Sequence, residues 1–189
     1  LDEHKWLVRL LKKFDAIYVE SDMMKSALQR RGFENAVVMY NFKELEPLAE
    51  SDIEYPKSEP YKLCTFSRVM KEKGIEDAIN AVESVNAHFG RTVYTLDIFG
   101  QVDVEYKERF SQLEKSFPDY ISYGGAIEAN KSVETLKSYF ALLFPTYYKG
   151  EGFAGTLIDA ISAGVPVIAS DWKYNPEFVV HGKTGVIIK

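Results

Sequence analysis

The sequence holds a single cysteine, Cys64, so no disulfide can close within the chain and no cysteine-based metal site can form. It lies inside the apolar run "YKLCTFSRV", where a free thiol packs as a small, inert hydrophobe. Histidine is almost as scarce, with three residues. His88 falls near the C-terminus of an expected helix, where the dipole favours a cation; His181 falls in a turn and His4 near the chain start. Each reads as structural or surface, not catalytic. No apolar run approaches the roughly 20 residues that a membrane-spanning helix needs. The first residues, "LDEHKWLVRL", put acids ahead of an apolar stretch broken by Arg9, unlike a secretory signal. Positive charge is not in excess either: the formal net charge is -5, which gives no global case for nucleic-acid binding. No convincing Asp-x-Asp pair is present to hold a metal, and "DVE" at 103–105 reads as a helix start.

What is present is a core. The chain has 189 residues, 46% of them hydrophobic, enough for one full domain and a piece of another. Short β-branched or aromatic runs alternate with stretches of helical spacing. The expected strands are "DAIYVES", "NAVVMYN", "YKLCTFSRV", "TVYTLDIFG", "YISYGGAI", "ALLFPTYY", "PVIAS" and "TGVIIK". Between them, "GIEDAINAVESVNAHFG" sets Ile75, Ala78, Ile79, Val82 and Val85 on one helix face, and Gly90 ends it. In "SDMMKSALQRRGF", Ser21 is the expected N-cap and Gly32 the stop. Repeated strand, helix, strand means right-handed βαβ units and a parallel sheet, so the expected class is α/β, doubly wound and Rossmann-like.

Residues 43–60 break the rhythm with three prolines and six acids, and read as a linker. Residues 1–42 then read as the tail of an otherwise absent domain, and 61–189 as the main one. Residues 5–14 place Trp6, Leu7, Leu10, Leu11 and Phe14 on one helical face. That face reads as packing on a sheet, with a membrane-surface helix as the alternative.

Ligands in open α/β sheets bind at the carboxyl ends of the strands. Three such ends carry chemistry. "FSRVMKEKG", 66–74, puts Ser67, Arg68, Lys71 and Lys73 beside a helix start, a pattern for an anion or for solvated surface cations. "LDIFGQVD", 96–103, ends a strand at Gly100, and "YISYGGAI" brings Gly124 and Gly125 beside Ala126 and Ile127, room for a flat ring. "KGEGFAGTLIDAISAGVPVIASD" sets Glu151 in a glycine loop and Asp159 about one turn into the next helix, so that both acids flank one ligand. Gly150, Gly152 and Gly155 also spell the dinucleotide pattern, with Asp171 at 19 residues from Gly152. A carboxylate next to a pyrophosphate, and "YYK" between strand and loop, count against that reading.

These segments resemble the family-4 retaining glycosyltransferases of the GT-B fold. "EGFAGTLIDAISAGVPVIAS" is similar to their E-x7-E string, with Asp159 in place of the second Glu; "SRVMKEKG" to G-R-x-x-x-x-K-G, with Ser67 for Gly; and "NPEFVVHGKTGVII" to P-E-x-x-x-x-G-x-x-G. "VVMYNF" resembles the interdomain strand ending in Asn-Gly, with Asn41 matching and Phe42 not. The resemblance implies a donor-binding C-terminal domain that takes a nucleotide-diphosphate sugar and passes a hexose to a glycan or lipid-linked acceptor, in polysaccharide biosynthesis. It implies that Arg68 and Lys73 hold the diphosphate and that the helix start at Thr156 and Leu157 meets its oxygens. Glu151 would bind sugar hydroxyls, Asp159 the ribose, and Ala126 and Ile127 would face the base. Ser67, Gly100, Gly152, Phe153, Ala154 and Gly155 complete the expected donor site. No cofactor or metal is implied. The acceptor side would come from the absent domain, so donor binding without turnover is expected of this chain alone. Its expected place is cytoplasmic, with peripheral contact at the inner face of the membrane left open. The rivals are a nicotinamide-dependent oxidoreductase, a non-catalytic sugar-nucleotide-binding relative, and a phosphorylase, for which no pyridoxal-phosphate lysine is identifiable.

Overall fold

The computed structural model describes residues 5–189; His4 lies outside them. Among the described residues there are two sheets. The first pairs β1 (Ile17–Val19) with β2 (Ala36–Val38), parallel, Ile17 opposite Ala36, with α2 (Asp22–Gln29) as the crossover. The second contains β3 (Tyr61–Phe66), β4 (Tyr94–Phe99), β5 (Ile121–Gly125), β6 (Ala141–Phe144), β7 (Val167–Ser170) and β8 (Gly185–Ile188). Its order is β5-β4-β3-β6-β7-β8, and every pairing is parallel. The expected α/β, doubly wound, Rossmann-like class is what the chain adopts.

Helices cover both faces, which explains the unbroken apolar runs in the strands. Leu63, Leu96 and Ile98 pack with Ile75, Ala78, Ile79 and Val82 of α3 (Ile75–Phe89) and Phe110 of α4 (Lys107–Glu114). Cys64, Phe99, Leu142 and Val167 face the other way, onto Leu136 of α5 (Ser132–Leu136) and Leu157 and Ala160 of α6 (Gly155–Ser162). Each large apolar side chain so buried contributes about 1.5–3 kcal/mol. Cys64 is fully buried, and burial pushes its thiol pKa well up, as an inert packing residue requires. Asn86 ties the end of α3 to β4: its carboxamide oxygen accepts from the N–H groups of Val93 and Tyr94, and its nitrogen donates to the Tyr94 carbonyl.

A short helix absent from the sequence expectations, α7 (Asn175–Phe178), follows β7. Near the chain start, α1 (Lys5–Leu11) forms, but its apolar face is only partly covered. Leu7 and Leu11 are half-buried, whereas Trp6, Leu10 and Phe14 are exposed. Partial burial therefore reaches two of the five residues.

The two sheets meet through α7 and α2. Glu177 accepts from the N–H groups of Asp22 (2.7 Å) and Met23 (3.1 Å), the start of α2, where a carboxylate offsets unpaired donors and the helix dipole. Ser21 accepts from Met24 N–H as the N-cap, and Tyr40 donates to Asp22 at 2.6 Å. Tyr40 also meets Phe178 edge-on, and Phe178 stacks flat on Phe153 at 3.7 Å between centroids. Replacing Glu177 by Ala is expected to loosen this contact by about 1–2 kcal/mol, since two exposed N–H donors at the start of α2 lose a charged partner. Hydrogen exchange of residues 17–38 should accelerate about tenfold or more, with β3–β8 unchanged; equal protection throughout would show that Glu177 does not hold the two sheets together.

Candidate functional site

The strand order reverses between β3 and β6, and this reversal opens a crevice at their carboxyl ends. Each wall is built by the chain that leaves one strand. After β3, Ser67 N–H donates to Phe99 O and Val69 N–H to Gln101 O, so this exit is laced to the exit of β4. A 3-10 turn, Lys71–Lys73, then leads into Gly74. Gly74 has φ 73° and lies so near β6 that a Cβ there would be 2.2 Å from the Pro145 carbonyl. Tyr147 N–H donates to Glu72 O at 2.8 Å and completes the stitch. The turn carrying Lys73 is thereby pressed against the loop carrying Glu151.

Those two residues meet. Lys73 Nζ lies 2.9 and 2.8 Å from the two carboxylate oxygens of Glu151. Thr146 donates to Glu151 Oε2 at 2.6 Å, and Ser170 donates to the Thr146 carbonyl. Glu151 is buried and Lys73 nearly so. A salt bridge this secluded is costly to break from one side, at about 3–5 kcal/mol. Arg68 is half-exposed, 3.5 Å from Asp103. Both cations stand near the same ring: Lys73 Nζ is 5.3 Å and the Arg68 guanidinium carbon 5.8 Å from the centroid of Tyr148. Such placement favours cations through the ring quadrupole.

Beside this cluster lies a cleft of about 190 Å³ lined by Phe66, Ser67, Phe99, Gly100, Ala126 and Ile127, with Gln101 at its edge. Ala126 and Ile127, expected beside a flat ring, line it together with Ser67 and Gly100, expected in the donor site. The room expected at Gly124 is taken, because the Phe99 ring fills the space of a Cβ there at 2.2 Å. Gly125 is open on that side.

The glycine loop runs from Glu151 to α6. Gly152 is crossed by Glu20, whose Oε2 accepts from Phe153 N–H at 3.0 Å. Asn41 donates to the Phe153 carbonyl at 2.9 Å. Ala154 caps α6, and Gly155 and Thr156 supply first-turn N–H groups with no partner inside the helix. Leu157 N–H returns to the Ala154 carbonyl, and the Leu157 side chain is fully buried. Asp159 is 1% exposed; Oδ2 accepts from Lys43 at 2.6 Å and Oδ1 from Ser132 at 2.8 Å. Arg68, Lys73 and Glu151 therefore stand at the crevice with the 190 Å³ cleft beside them. Asp159 lies beneath Lys43. Among the described residues, no group of three or more His, Cys, Asp or Glu stands so that it could hold a metal ion, and no helix is long and apolar enough to cross a membrane.

The comparisons with known proteins bear on this arrangement. The family model for glycosyl transferases group 1 matches residues 49–189, three quarters of the chain. The chain belongs to that family. Among curated relatives, a UDP-N-acetylglucosamine–peptide N-acetylglucosaminyltransferase GtfA subunit from Streptococcus gordonii is 30% identical over 178 residues, 90% of this chain and 34% of the relative. The chain thus spans about a third of that relative's length. The crystal structure of the pneumococcal O-GlcNAc transferase GtfA in complex with UDP and GlcNAc superposes with a TM-score of 0.74 at 25% identity, over 100% of this chain and 36% of that one. Anabaena Alr3699/HepE in complex with UDP and glucose shares the fold, with a TM-score of 0.76 at 18% identity, over 100% of this chain and 55% of that one. The GT-B resemblance read from the sequence is thus carried by family and fold alike. Four contacts of this group-1 site had no sequence signal: Thr146 on Glu151, Ser132 and Lys43 on Asp159, and Glu20 on the glycine loop. Their partners lie up to 133 residues away.

Proposed function

We propose that this chain is the donor-binding portion of a retaining glycosyltransferase that transfers a hexose from a nucleotide-diphosphate sugar to a glycan or lipid-linked acceptor. The reading rests above all on the Lys73–Glu151 pair at the strand-order reversal, between a flat cleft and a helix start. The cleft takes the base against Ser67, Gly100, Ala126 and Ile127. Lys73 and Arg68 hold the diphosphate, together with the N–H groups at the start of α6. Glu151 accepts from hydroxyls of the transferred sugar. As the sugar–phosphate bond breaks, negative charge builds on the leaving diphosphate, and cations already in place stabilise it without a reorganisation cost. In this scheme the two basic side chains carry that charge and no resident metal is required.

The name of the S. gordonii relative makes UDP-N-acetylglucosamine the first donor to test, and a peptide acceptor joins the glycan and lipid candidates. Action on the cytoplasmic side is part of the proposal. Nucleoside diphosphates at millimolar concentration should raise Tm: at 10–100 times Kd the stabilisation is about 1.4–2.7 kcal/mol, or several degrees for a chain of this size. UDP, GDP and ADP are the three arms. A folded sample unmoved by all three would sink the reading, and NADH fluorescence enhancement would favour dinucleotide chemistry instead.

A further inference from the structure

We infer that Lys43 is a donor-binding residue, its ammonium carried by Asp159 to meet the phosphate oxygens of a nucleoside diphosphate. The inference rests on the donor-site reading above and changes who touches the ligand.

Asp159 is closed. Its carboxylate is 1% exposed and each oxygen already accepts a hydrogen bond, one from Lys43 and one from Ser132. Buried to that degree, it has almost no surface to offer a ligand. The part of this ion pair that reaches solvent is the lysine, whose side chain is 31% exposed. An ammonium has three N–H donors. Among the described residues Asp159 is its one hydrogen-bond partner, so two donors remain.

The position of that ammonium is unusual. A Cβ built on Gly155 would lie 2.9 Å from Lys43 Cε and 3.3 Å from Nζ, so the lysine tip rests over the first residue of α6. Helix starts carry partial positive charge and repel cations. Asp159 supplies the attraction that keeps Lys43 there, and an anion between the ammonium and the first-turn N–H groups would satisfy both. A second observation points to the same ligand. Thr156, in that first turn, is 8% exposed, and its buried hydroxyl has no hydrogen-bond partner among the described residues. A phosphate oxygen is an acceptor of the kind this hydroxyl lacks. With Arg68 and Lys73 across the crevice, Lys43 is then a third cation of the site, and it comes from outside residues 49–189, the stretch the family model matches.

A purely structural salt bridge would leave a different signature. Lys43→Met alone strands a buried carboxylate and should lower Tm. The double variant Lys43→Met/Asp159→Asn removes both charges while Ser132 keeps an acceptor, so its Tm should return close to that of the parent. Calorimetry then decides, with whichever of UDP, GDP or ADP binds the parent and its parent nucleoside as probes. The expected result is about tenfold weaker binding of the diphosphate by the double variant, with nucleoside binding unchanged. Equal diphosphate affinity in the parent and the double variant overturns the inference. So does a loss shared equally by nucleoside and diphosphate, since the contact would then lie away from the phosphates. If the parent binds none of the three diphosphates, the donor-site reading falls first, and this inference with it.

Discussion

Glu151→Ala is expected to weaken binding of a nucleotide sugar by tenfold or more, about 1.4 kcal/mol or greater, while the free nucleoside diphosphate binds at least as well as to the parent. The two halves of that result have separate causes. Glu151 is the carboxylate assigned to the sugar, so its loss removes acceptors that only the sugar-bearing ligand uses. It is also the counter-ion of Lys73, held at 2.8 and 2.9 Å. Without it the ammonium is left free to grip phosphate alone. The same freedom costs stability, because a nearly buried cation loses its partner, on the order of 3 kcal/mol. Titrations should therefore be run well below the lowered Tm. Isothermal calorimetry with UDP-N-acetylglucosamine and UDP, side by side, checks the prediction. Matched losses for both ligands would remove Glu151 from the sugar and reduce it to a support for Lys73.

Gly100→Ala is expected to be the most damaging single methyl group in the molecule. Gly100 has φ 136°, and its Cβ would fall 1.8 Å from the Ser67 carbonyl oxygen and 2.7 Å from the carbonyl carbon. Those are backbone atoms, which cannot rotate aside as a side-chain tip can. Gly100 is pinned from both directions: its N–H donates to Gly125 O and its carbonyl accepts from Tyr123 OH. The strain must push Ser67 and Arg68 outward, at a cost on the order of 3–5 kcal/mol. For a chain of this size that is roughly 10 °C in Tm or more. Gly125→Ala is the control, since Gly125 has φ 73° with nothing within 4 Å, and only backbone strain of about 1–2 kcal/mol applies. Thermal unfolding of the two variants separates them. If Gly100→Ala unfolds no earlier than Gly125→Ala, close backbone approach is not what Gly100 provides.

Much of this architecture is legible because it is local. The period-2 and period-3.6 patterns mark β3 to β8, α2, α3 and α6, and the strand–helix alternation implies the parallel sheet. Arg68, Lys73 and Glu151 announce themselves through residue type and their place at strand exits. What pattern cannot convey is partnership across distance. Lys43 sits in a stretch of acids and prolines with no period, and nothing there says that its ammonium crosses 116 positions to Asp159. Glu20 likewise reads as the polar end of a strand until it meets Phe153. Ser67, Gly100, Ala126 and Ile127 were readable as candidates, but that they share one cleft depends on the register of β3, β4 and β5. The face of α1 shows the opposite failure: its spacing is that of a packed helix, yet Trp6, Leu10 and Phe14 stay exposed.

The contacts of Glu20, Asn41 and Lys43 also bear on how modular such a protein is. A boundary drawn where the family model begins to match, at residue 49, would part the glycine loop from three of the side chains that shape it. A chimera built to change donor choice by exchanging one half for another would have to carry residues 17–43 with the half it transplants. Otherwise the recipient's own residues must supply a carboxylate for Phe153 N–H, a carboxamide for its carbonyl and a cation for Asp159. The structural unit around the glycine loop is therefore longer than the segment that the family model matches.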